Sequence, residues 1–465
     1  MRFIFYDTET TGTNTSFDQI LQFAAIYTDE HFNELDRLEI RGRLLPYIIA
    51  APGALLTNGV SIERLHDPSL PSHYQMVRTI QAKLRAWSPA VFIGYNSLRF
   101  DENIFRQALY QTLHPPYLTN TGGNSRTDAM KMVQAASVFA PNALVIPLID
   151  TGAPTFKLEA VARANGFEEH NAHDALGDVE ATIHLCRLIR ERALGLWTTF
   201  IRFNRKLPVQ DLLQHEPVVC LTEFYGGPFS WLVTAIGRNP ENENEICVVD
   251  LAESPEELSE MSDEDLAAHL RKLPKPVRWV RTNASPILMP SEAATDIATA
   301  KQLGAQELQR RSSVYRTNRS LRDRLVNVAL GDREPRAQSI YVEQQIYDGF
   351  FLNNDQEIMF AFHDVEWERR FELSQQFGDA RLRKIAQRVL FTEAPECLPA
   401  EIRFAHERES AHRLIAEQAE WLTLPKAIEQ TDDLLKTANE QSKPFLMKYR
   451  AYLAQRLEQA SGKAA

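Results

Sequence analysis

The sequence predicts an α/β domain, followed by a small β-rich domain and then a helical domain. Strand and helix patterns alternate over the first 190 residues or so, which indicates a mixed sheet covered by helices. Short strand patterns bounded by Gly and Pro follow from about residue 195. From about residue 295 to the end, the chain is rich in Leu, Ala, Gln, Glu and Arg and has few Gly or Pro, which favours helices.

The first domain begins with three predicted strands. The segment "RFIFYDTE" predicts a buried strand, and "QILQFAAIYTDE" predicts a second strand with apolar positions throughout. The segment "LDRLEIRGRLL" alternates between polar and apolar residues, as expected for a third strand. A helix with apolar residues at helical spacing is predicted for "HYQMVRTIQAKLRAWS", and a short buried strand for "AVFIGYN".

Helices complete the first domain. The segment "DENIFRQALYQTL" begins with acids, which favour a helix N-terminus, and the helix should end before Pro115 and Pro116. A further helix, "KLEAVARANG", should close at Gly166. The segment "DALGDVEATIHLCRLIRERAL" predicts a long amphipathic helix.

The β-rich domain is predicted from three apolar segments and one acidic insertion. The strand patterns are "PVVCLTEFYGGPFSWLVTAIG", "EICVVDL" and "PVRWVRTNASPILM". Residues 253–270 are acidic and predict an inserted helix.

Charge and cysteine content restrict the class of protein. The 465-residue chain has a net charge of −11, yet residues 241–270 contain no Lys or Arg and residues 301–336 are rich in Arg. A patterned surface of this kind can still bind a polyanion through its basic part. Cys186, Cys220, Cys247 and Cys397 show no metal-ligand spacing, and neither a membrane span nor an export signal is evident. We therefore expect a cytoplasmic protein without a membrane partner.

Carboxylates stand at the ends of several predicted elements in the first domain. Asp7 and Glu9 are two apart in a strand, so their side chains share one face. Asp101 begins a helix, where it could also serve only the helix dipole. Asp178 lies in a helix five residues after His173. Asp174 and Glu180 compete with Asp178 for any role, and spacing alone does not choose among the three.

Together these acids predict a metal-dependent active site. Carboxylate oxygens suit Mg²⁺ or Mn²⁺, and two such ions at a spacing of about 3.5–4 Å can cleave phosphodiesters. A nearby histidine that titrates near neutrality suits a general base for water.

Three motifs carry a resemblance to a known superfamily. "DTETTG", "YNSLRFDE" and "AHDALGD" resemble the motifs of DEDDh 3′→5′ exonucleases, which share the His-x4-Asp spacing. "QFAAIYTDEHF", "PGALLTNGVS", "NSRTDAMKMV", "TFKLEAVARANG", "NASPILM" and "YDGFF" narrow the resemblance to the bacterial exonuclease I family.

That resemblance implies an architecture and an activity. It implies an RNase H-like α/β exonuclease domain over 1–193, an SH3-like β-barrel domain with a helical insertion over 194–342, and an α-helical C-terminal domain over 343–465. The implied activity is processive release of 5′-mononucleotides from the 3′ end of single-stranded DNA, with two Mg²⁺ ions for which Mn²⁺ can substitute. The implied setting is DNA repair and recombination.

The resemblance also implies roles for individual residues. Asp7 would bridge both ions, Glu9 and Asp178 would complete one site, and Asp101 would serve the other. His173 matches the general base, and Glu9 would also touch the terminal nucleotide. Further implied DNA contacts are Arg106, Tyr117, Arg205 and Lys157, the last of which replaces an Arg that is usual in the family.

Other interpretations concern substrate and partners. The aromatic residues Phe224, Tyr225, Phe229 and Trp231 either stack on DNA bases or belong to the core of the β domain. The family also docks the acidic tail of single-stranded DNA-binding protein, for which Arg316 and Arg322 are candidate contacts, and a monomer is expected. Alternatives are an exonuclease for RNA 3′ ends, a proofreading subunit, or a nucleic-acid clamp without catalysis.

Overall fold

The fold was analysed in a computed structural model, which describes residues 1–168, 174–294, 296–331 and 338–464. The first domain contains a five-stranded sheet with strand order β3-β2-β1-β4-β5. Strands β1, β2 and β3 pair antiparallel, whereas β4 and β5 run parallel to β1. The strands are β1 (Phe3–Thr10), β2 (Ile20–Thr28), β3 (Glu34–Arg41), β4 (Val91–Gly94) and β5 (Ser125–Asp128).

Helices cover both faces of this sheet, which explains why β2 and the first half of β1 are apolar at almost every position. Phe3 and Phe5 face one hydrophobic cluster, and Ile4 and Tyr6 face another on the opposite side. The edge strand β3 keeps the alternating burial that its sequence predicts. The helices are α1 (Pro52–Asn58), α2 (Ile62–Leu65), α3 (His73–Trp87), α4 (Asp101–Gln111), α5 (Ala129–Phe139), α6 (Leu158–Ala164), α7 (Ala175–Arg192), α8 (Leu194–Arg202) and α9 (Lys206–His215), with a 3₁₀ turn at Leu118–Asn120.

The second domain is built on an antiparallel sheet with strand order β10-β6-β7-β8-β9. Its strands are β6 (Val219–Phe224), β7 (Pro228–Arg238), β8 (Glu245–Asp250), β9 (Val277–Arg281) and β10 (Ile287–Pro290). The acidic insertion forms two helices, α10 (Pro255–Glu260) and α11 (Asp263–Leu270), and not the single helix predicted. The chain is extended at Met261 and Ser262 between them, and the Ser262 hydroxyl caps α11 by accepting from the backbone N–H of Asp265.

Two long helices pack on this second sheet. Helix α12 (Ala298–Thr317) is broken at Gly304, whose φ of 72° is left-handed, and α13 (Arg319–Gly331) follows it. Tyr315 of α12 and Leu325 of α13 are buried in the cluster that also covers β7. A 3₁₀ turn at Ser291–Ala294 precedes these helices.

The C-terminal domain is helical, as predicted. A 3₁₀ turn at Val342–Tyr347 opens it and another lies at Pro395–Cys397. The helices are α14 (Asn353–Asp364), α15 (Trp367–Ser374), α16 (Ala380–Glu393), α17 (Ala400–Ile415), α18 (Leu424–Thr437) and α19 (Lys443–Ala464). Among the described residues, no helix has the length and apolar content that crossing a membrane would need.

The first domain contacts both of the others. The Ser285 hydroxyl of the β domain donates to the backbone oxygen of Arg126 at 3.2 Å, and Lys131 donates to the backbone oxygen of Ala284. On the other side, the Tyr449 hydroxyl of α19 donates to the backbone oxygen of Ala50 at 2.6 Å. The β and helical domains therefore both rest on the α/β domain.

Candidate active site

The site begins where strand β1 ends. Asp7 and Glu9 point to one face of β1, as their spacing predicts, and the ladder with β2 shifts its register just after Glu9. The chain then turns at Gly12, where a side-chain carbon would stand 2.6 Å from a carboxylate oxygen of Asp18. That carboxylate accepts from Thr11 and from the backbone of Asn14, so glycine is needed for the tight return to β2.

Helix α7 brings the third acid to the strand end. Carboxylate oxygens of Asp7, Glu9 and Asp178 all lie within 4.8 Å of one another. The geometry also separates Asp178 from its two competitors, because Asp174 accepts hydrogen bonds from Arg41 and Gln22, and Glu180 accepts from Arg37. We call Asp7, Glu9 and Asp178 the acidic cluster.

Asp101 lies beside the acidic cluster at the first residue of α4, where it is buried. Its Oδ1 accepts a 2.6 Å hydrogen bond from the Thr8 hydroxyl. The loop that precedes Asp101 is held by Asp128, whose carboxylate accepts from the backbone N–H groups of Asn96 and Leu98. The second acidic motif is thus fixed from both β1 and β5.

The pKa values of these acids are raised in the absence of a cation, which indicates that a cation would stabilise the site. Burial raises the pKa of Asp7, and the charges of Asp101, Asp178 and Glu9 raise it further. Burial, then Asp178 and Asp101, raise the pKa of Glu9 to about 8, against the opposing effect of Arg41. Burial also raises the pKa of Asp101 to about 7, although the hydrogen bond from Thr8 opposes the shift.

The donor set fits a hard divalent cation. Three converging carboxylates offer oxygen atoms only, which suits Mg²⁺ or Mn²⁺ better than the softer metals that prefer nitrogen or sulfur. A divalent cation would also relieve the repulsion that raises the pKa values of Asp7 and Glu9. The predicted general base, His173, lies outside the described residues.

Of the four DNA contacts predicted besides Glu9, two lie against each other and two are separately exposed. Arg106 and Tyr117 lie together, with the guanidinium of Arg106 5.2 Å from the centre of the Tyr117 ring. Arg106 also donates to Glu102 at 2.7 Å, one residue from Asp101. Lys157 is exposed at the N-terminus of α6, and Arg205 is exposed where α9 begins, with its guanidinium 3.5 Å from the backbone oxygen of Gly123.

The four aromatic residues of the β domain divide evenly between core and surface. Trp231 is buried under the guanidinium of Arg278, and Phe224 packs edge-on against Phe156. Tyr225 and Phe229 are exposed. The latter pair line a cavity of about 1080 Å³ together with Trp231 and Arg278.

Sequence reasoning missed two exposed aromatic residues of the C-terminal domain that lie beside Tyr117 and Arg106. Phe350 has an exposure of 86% and lies 6.1 Å from Tyr117, ring centre to ring centre. Tyr347 is 45% exposed, and its hydroxyl accepts from Arg106 at 3.1 Å. Both belong to the "YDGFF" segment, which we noted only for its resemblance. We call Tyr117, Tyr347 and Phe350 the aromatic platform.

Two arginines of the Arg-rich segment form ion pairs with the acidic insertion. Arg310 pairs with Glu256 at 2.6 Å, and Arg324 pairs with Asp263 at 2.5 Å. Arg316 donates to the backbone oxygen of Gln214. The two oppositely charged segments therefore neutralise one another in part, which reduces the basic surface that the sequence predicts.

Comparison with protein families and solved structures gives concordant results. The family model for the exonuclease I SH3-like domain matches residues 205–329, and that for the exonuclease I C-terminal domain matches residues 341–456. Exodeoxyribonuclease I of Escherichia coli is 28% identical over 428 residues, which cover 87% of each chain. The enzyme of the same name from Haemophilus influenzae is 28% identical over 403 residues, with 82% of this chain and 84% of the relative covered.

Solved structures of exonuclease I match this chain over nearly its whole length. A moderately thermophilic exonuclease I from Methylocaldum szegediense matches with a TM-score of 0.85 at 25% identity, covering 98% of this chain and 99% of its own. E. coli exonuclease I in complex with a dA16 oligonucleotide matches with a TM-score of 0.84 at 26% identity and 99% coverage of both chains. The two family models span more than half of the chain and the similarity of fold extends over all three domains, so the chain belongs to the exonuclease I family.

Proposed function

We propose that this protein is a metal-dependent 3′→5′ exonuclease that degrades single-stranded DNA to 5′-mononucleotides. The observation that carries the proposal is the convergence of Asp7, Glu9 and Asp178 within 4.8 Å, in a chain of the exonuclease I family. A protein that only bound nucleic acid would gain nothing from several partly buried acids, because they repel phosphate. The noncatalytic clamp is therefore disfavoured.

The roles of the residues follow from their positions. Asp7, Glu9 and Asp178 would hold a Mg²⁺ ion, and Asp101 would contribute to a second ion from its buried position beside Thr8. When bound, the ions supply activation of water and stabilisation of charge at the phosphate. His173 would accept the proton of the attacking water, and Glu9 would also contact the terminal nucleotide.

Contacts to the DNA would come from all three domains. Lys157 and Arg205 would neutralise phosphates, with Lys157 acting as a point charge and without the bidentate grip of an arginine. The aromatic platform would stack on bases beside the acidic cluster, because Arg106 connects it to Glu102, the neighbour of Asp101. Tyr225 and Phe229 would offer a second stacking surface on the β domain.

A digestion time course tests the proposal. End-labelled single-stranded DNA, the matched duplex and an RNA of the same sequence are incubated with the protein in Mg²⁺, in Mn²⁺ and in EDTA. We expect stepwise shortening from the 3′ end of the single-stranded DNA with either metal, and no shortening in EDTA. Preference for the duplex or for the RNA would contradict the proposed substrate, and cleavage in EDTA would contradict the proposed metal dependence.

We further infer a role in DNA repair and recombination, in which the acidic tail of single-stranded DNA-binding protein docks near Arg316 and Arg322. This inference is supported by the family and by the position of both residues on the Arg-rich helices of the β domain. An Arg316→Ala, Arg322→Ala double variant should lose binding to a tail peptide while it degrades free DNA at the normal rate. Normal peptide binding by this variant would place the tail elsewhere.

A further inference from the structure

We propose that Gln22, Arg41 and Asp174 form a tether that positions the start of helix α7, and with it Asp178, against strand β1. The three are positioning residues and not catalytic ones, because they act through Asp178. The inference rests on the function proposed above, for which it supplies residues that have no role in the proposed metal and DNA contacts.

The tether begins as a row of side chains across three strands. Glu9 is paired with Gln22 on β2, and Gln22 is paired with Arg41 on β3. Residues directly opposite one another in neighbouring strands project from the same face of the sheet. The row therefore runs from a residue of the acidic cluster to the sheet edge. Gln22 is fully buried, and the Arg41 side chain is only 19% exposed.

Helix α7 is attached to this row at two points. Oδ1 of Asp174 accepts from Nη2 of Arg41 at 2.7 Å and from Nε2 of Gln22 at 2.9 Å. The side-chain oxygen of Gln22 in turn accepts from the backbone N–H of Ala175 at 3.4 Å. Both the side chain that precedes the helix and the first N–H of the helix are thus held by the sheet.

The conformation of Asp174 indicates that its side chain serves to attach α7 to the sheet and not to cap the helix. Asp174 occupies the N-cap position of α7, where an aspartate normally accepts a hydrogen bond from an N–H of the first helical turn. It makes no such bond, and its carboxylate turns instead towards β2 and β3. The residue most suited to capping the helix is used to connect it to the sheet.

The tether lies where it can control catalytic geometry. Asp178 follows Asp174 by four residues, just over one helical turn, and its backbone N–H donates to the backbone oxygen of Asp174 at 3.0 Å. His173 immediately precedes Asp174 in the sequence. Release of the tether would let the start of α7 shift, and a misplacement of about 1 Å in an active site can cost roughly 10²-fold in rate.

The chain supplies a matched control. Arg37 also lies on β3 and also reaches α7, through a 3.4 Å contact with Glu180, but both side chains are exposed and neither contacts the row. Arg37→Ala therefore removes one arginine–carboxylate pair between the same two elements without releasing the tether.

Steady-state digestion of single-stranded DNA at saturating Mg²⁺ tests the proposal. In Arg41→Ala and in Asp174→Ala, we expect kcat to fall by about 10- to 100-fold, because the reacting groups are misplaced. KM for DNA should change little, since none of the three tether residues is among the proposed DNA contacts. The double variant should be no worse than either single variant, because the two residues act as a unit. Arg37→Ala should match the wild type.

Several results would overturn the proposal: an unchanged kcat, additive losses in the double variant, an equal loss in Arg37→Ala, or an effect confined to KM. Arg41→Gln provides a milder substitution if Arg41→Ala does not fold. Hydrogen exchange at the first turns of α7 gives a readout independent of activity and should be faster in Arg41→Ala than in Arg37→Ala. Equal exchange would refute the tether even if the wild type were inert on DNA, a result that would separately refute the proposed function.

Discussion

The hydroxyl of Thr8 donates a 2.6 Å hydrogen bond to Oδ1 of Asp101, which lies 93 residues further along the chain. Thr8 stands between Asp7 and Glu9, so one short segment of β1 contributes two acids and fixes a third. The bond joins β1 to the start of α4 in the buried part of the site.

The first prediction concerns this bond. Thr8→Val keeps the shape of the side chain and removes the donor, which leaves the buried Asp101 with one hydrogen bond fewer. We expect a loss of about 1–3 kcal/mol in stability and a loss of about 10- to 100-fold in metal affinity or activity. Thr28→Val is the control, because Thr28 is a buried threonine at the far end of β2 that donates only to a backbone oxygen. Equal effects in the two variants would contradict the role of the bond.

The second prediction concerns the acidic cluster. Asp178→Asn should abolish Mg²⁺-dependent digestion, because one metal-binding carboxylate is lost. In EDTA the same variant should be more stable than the wild type, because Asp178 raises the pKa of both Asp7 and Glu9 by repulsion. A gain of 1 kcal/mol in stability corresponds to a rise of about 2–4 °C in the melting temperature of a domain of the size of the first one. Thermal melts with and without Mg²⁺ measure this gain. A variant that is less stable than the wild type in EDTA would show that repulsion from Asp178 does not destabilise the metal-free site.

The third prediction concerns His173, the proposed general base. His173→Ala should lower kcat by about 10²–10⁴-fold, because water then loses its proton acceptor. Stabilisation of the protein by Mg²⁺ should persist, since the acidic cluster is intact. Rapid-quench digestion and melts in a Mg²⁺ titration check the two parts. A variant that cleaves normally would remove His173 from the mechanism.

The fourth prediction concerns the aromatic platform. Phe350→Ala should weaken binding of a single-stranded oligonucleotide by about 1–3 kcal/mol, the usual contribution of one stacked base. Fluorescence anisotropy in EDTA measures binding without cleavage. Phe404→Ala is the control, because Phe404 is an exposed phenylalanine of α17, outside the platform. The platform is not a DNA site if both variants bind equally well.

The fifth prediction concerns two stacked histidines between the first and third domains. The rings of His114 and His363 are parallel, with centres 3.9 Å apart. Nε2 of His363 donates to the backbone oxygen of Leu113, and Nδ1 lies 2.8 Å from the Tyr74 hydroxyl, which can donate to it when the ring is neutral. Burial lowers the pKa of His363 to about 4 and also lowers that of His114.

The sign of the resulting pH dependence follows from linkage. Below the ordinary histidine pKa of about 6.5 the unfolded chain takes up protons that the folded protein excludes, so stability falls as the pH falls towards 4. Each excluded proton costs about 1.4 kcal/mol per pH unit in this window. His114→Phe keeps a flat ring and removes one titrating group, so its stability should fall less steeply than that of the wild type between pH 7 and 5. The melting temperatures of both proteins are measured against pH in saturating Mg²⁺. An equal fall of melting temperature with pH in the two proteins would contradict this prediction.

Local patterns predicted most of the architecture and the position of two acids. Period two places Asp7 and Glu9 on one face, and the continuous apolar pattern of β2 reflects a sheet covered on both sides. Spacing alone could not choose Asp178 over Asp174 and Glu180, and only the resemblance did so, because the contacts that occupy the other two acids come from Gln22, Arg41 and Arg37 on distant strands. Tyr347 and Phe350 of the aromatic platform escaped prediction for the same reason, since Arg106 and Tyr347 are 241 residues apart. The pairing of the acidic and basic segments likewise arises only when α10 and α11 pack beside α12 and α13.

The start of the C-terminal domain, residues 342–347, is bound along helix α4. The Gln107 amide donates to the backbone oxygen of Glu343, the Tyr110 hydroxyl donates to that of Val342, and Arg106 donates to Tyr347. Helix α4 begins at Asp101, so the last domain braces an element that carries a proposed metal ligand. The three domains are therefore not interchangeable modules. Transplanting the nuclease domain alone into another protein would strip the support from α4, and any such chimera must carry residues 342–347 with it.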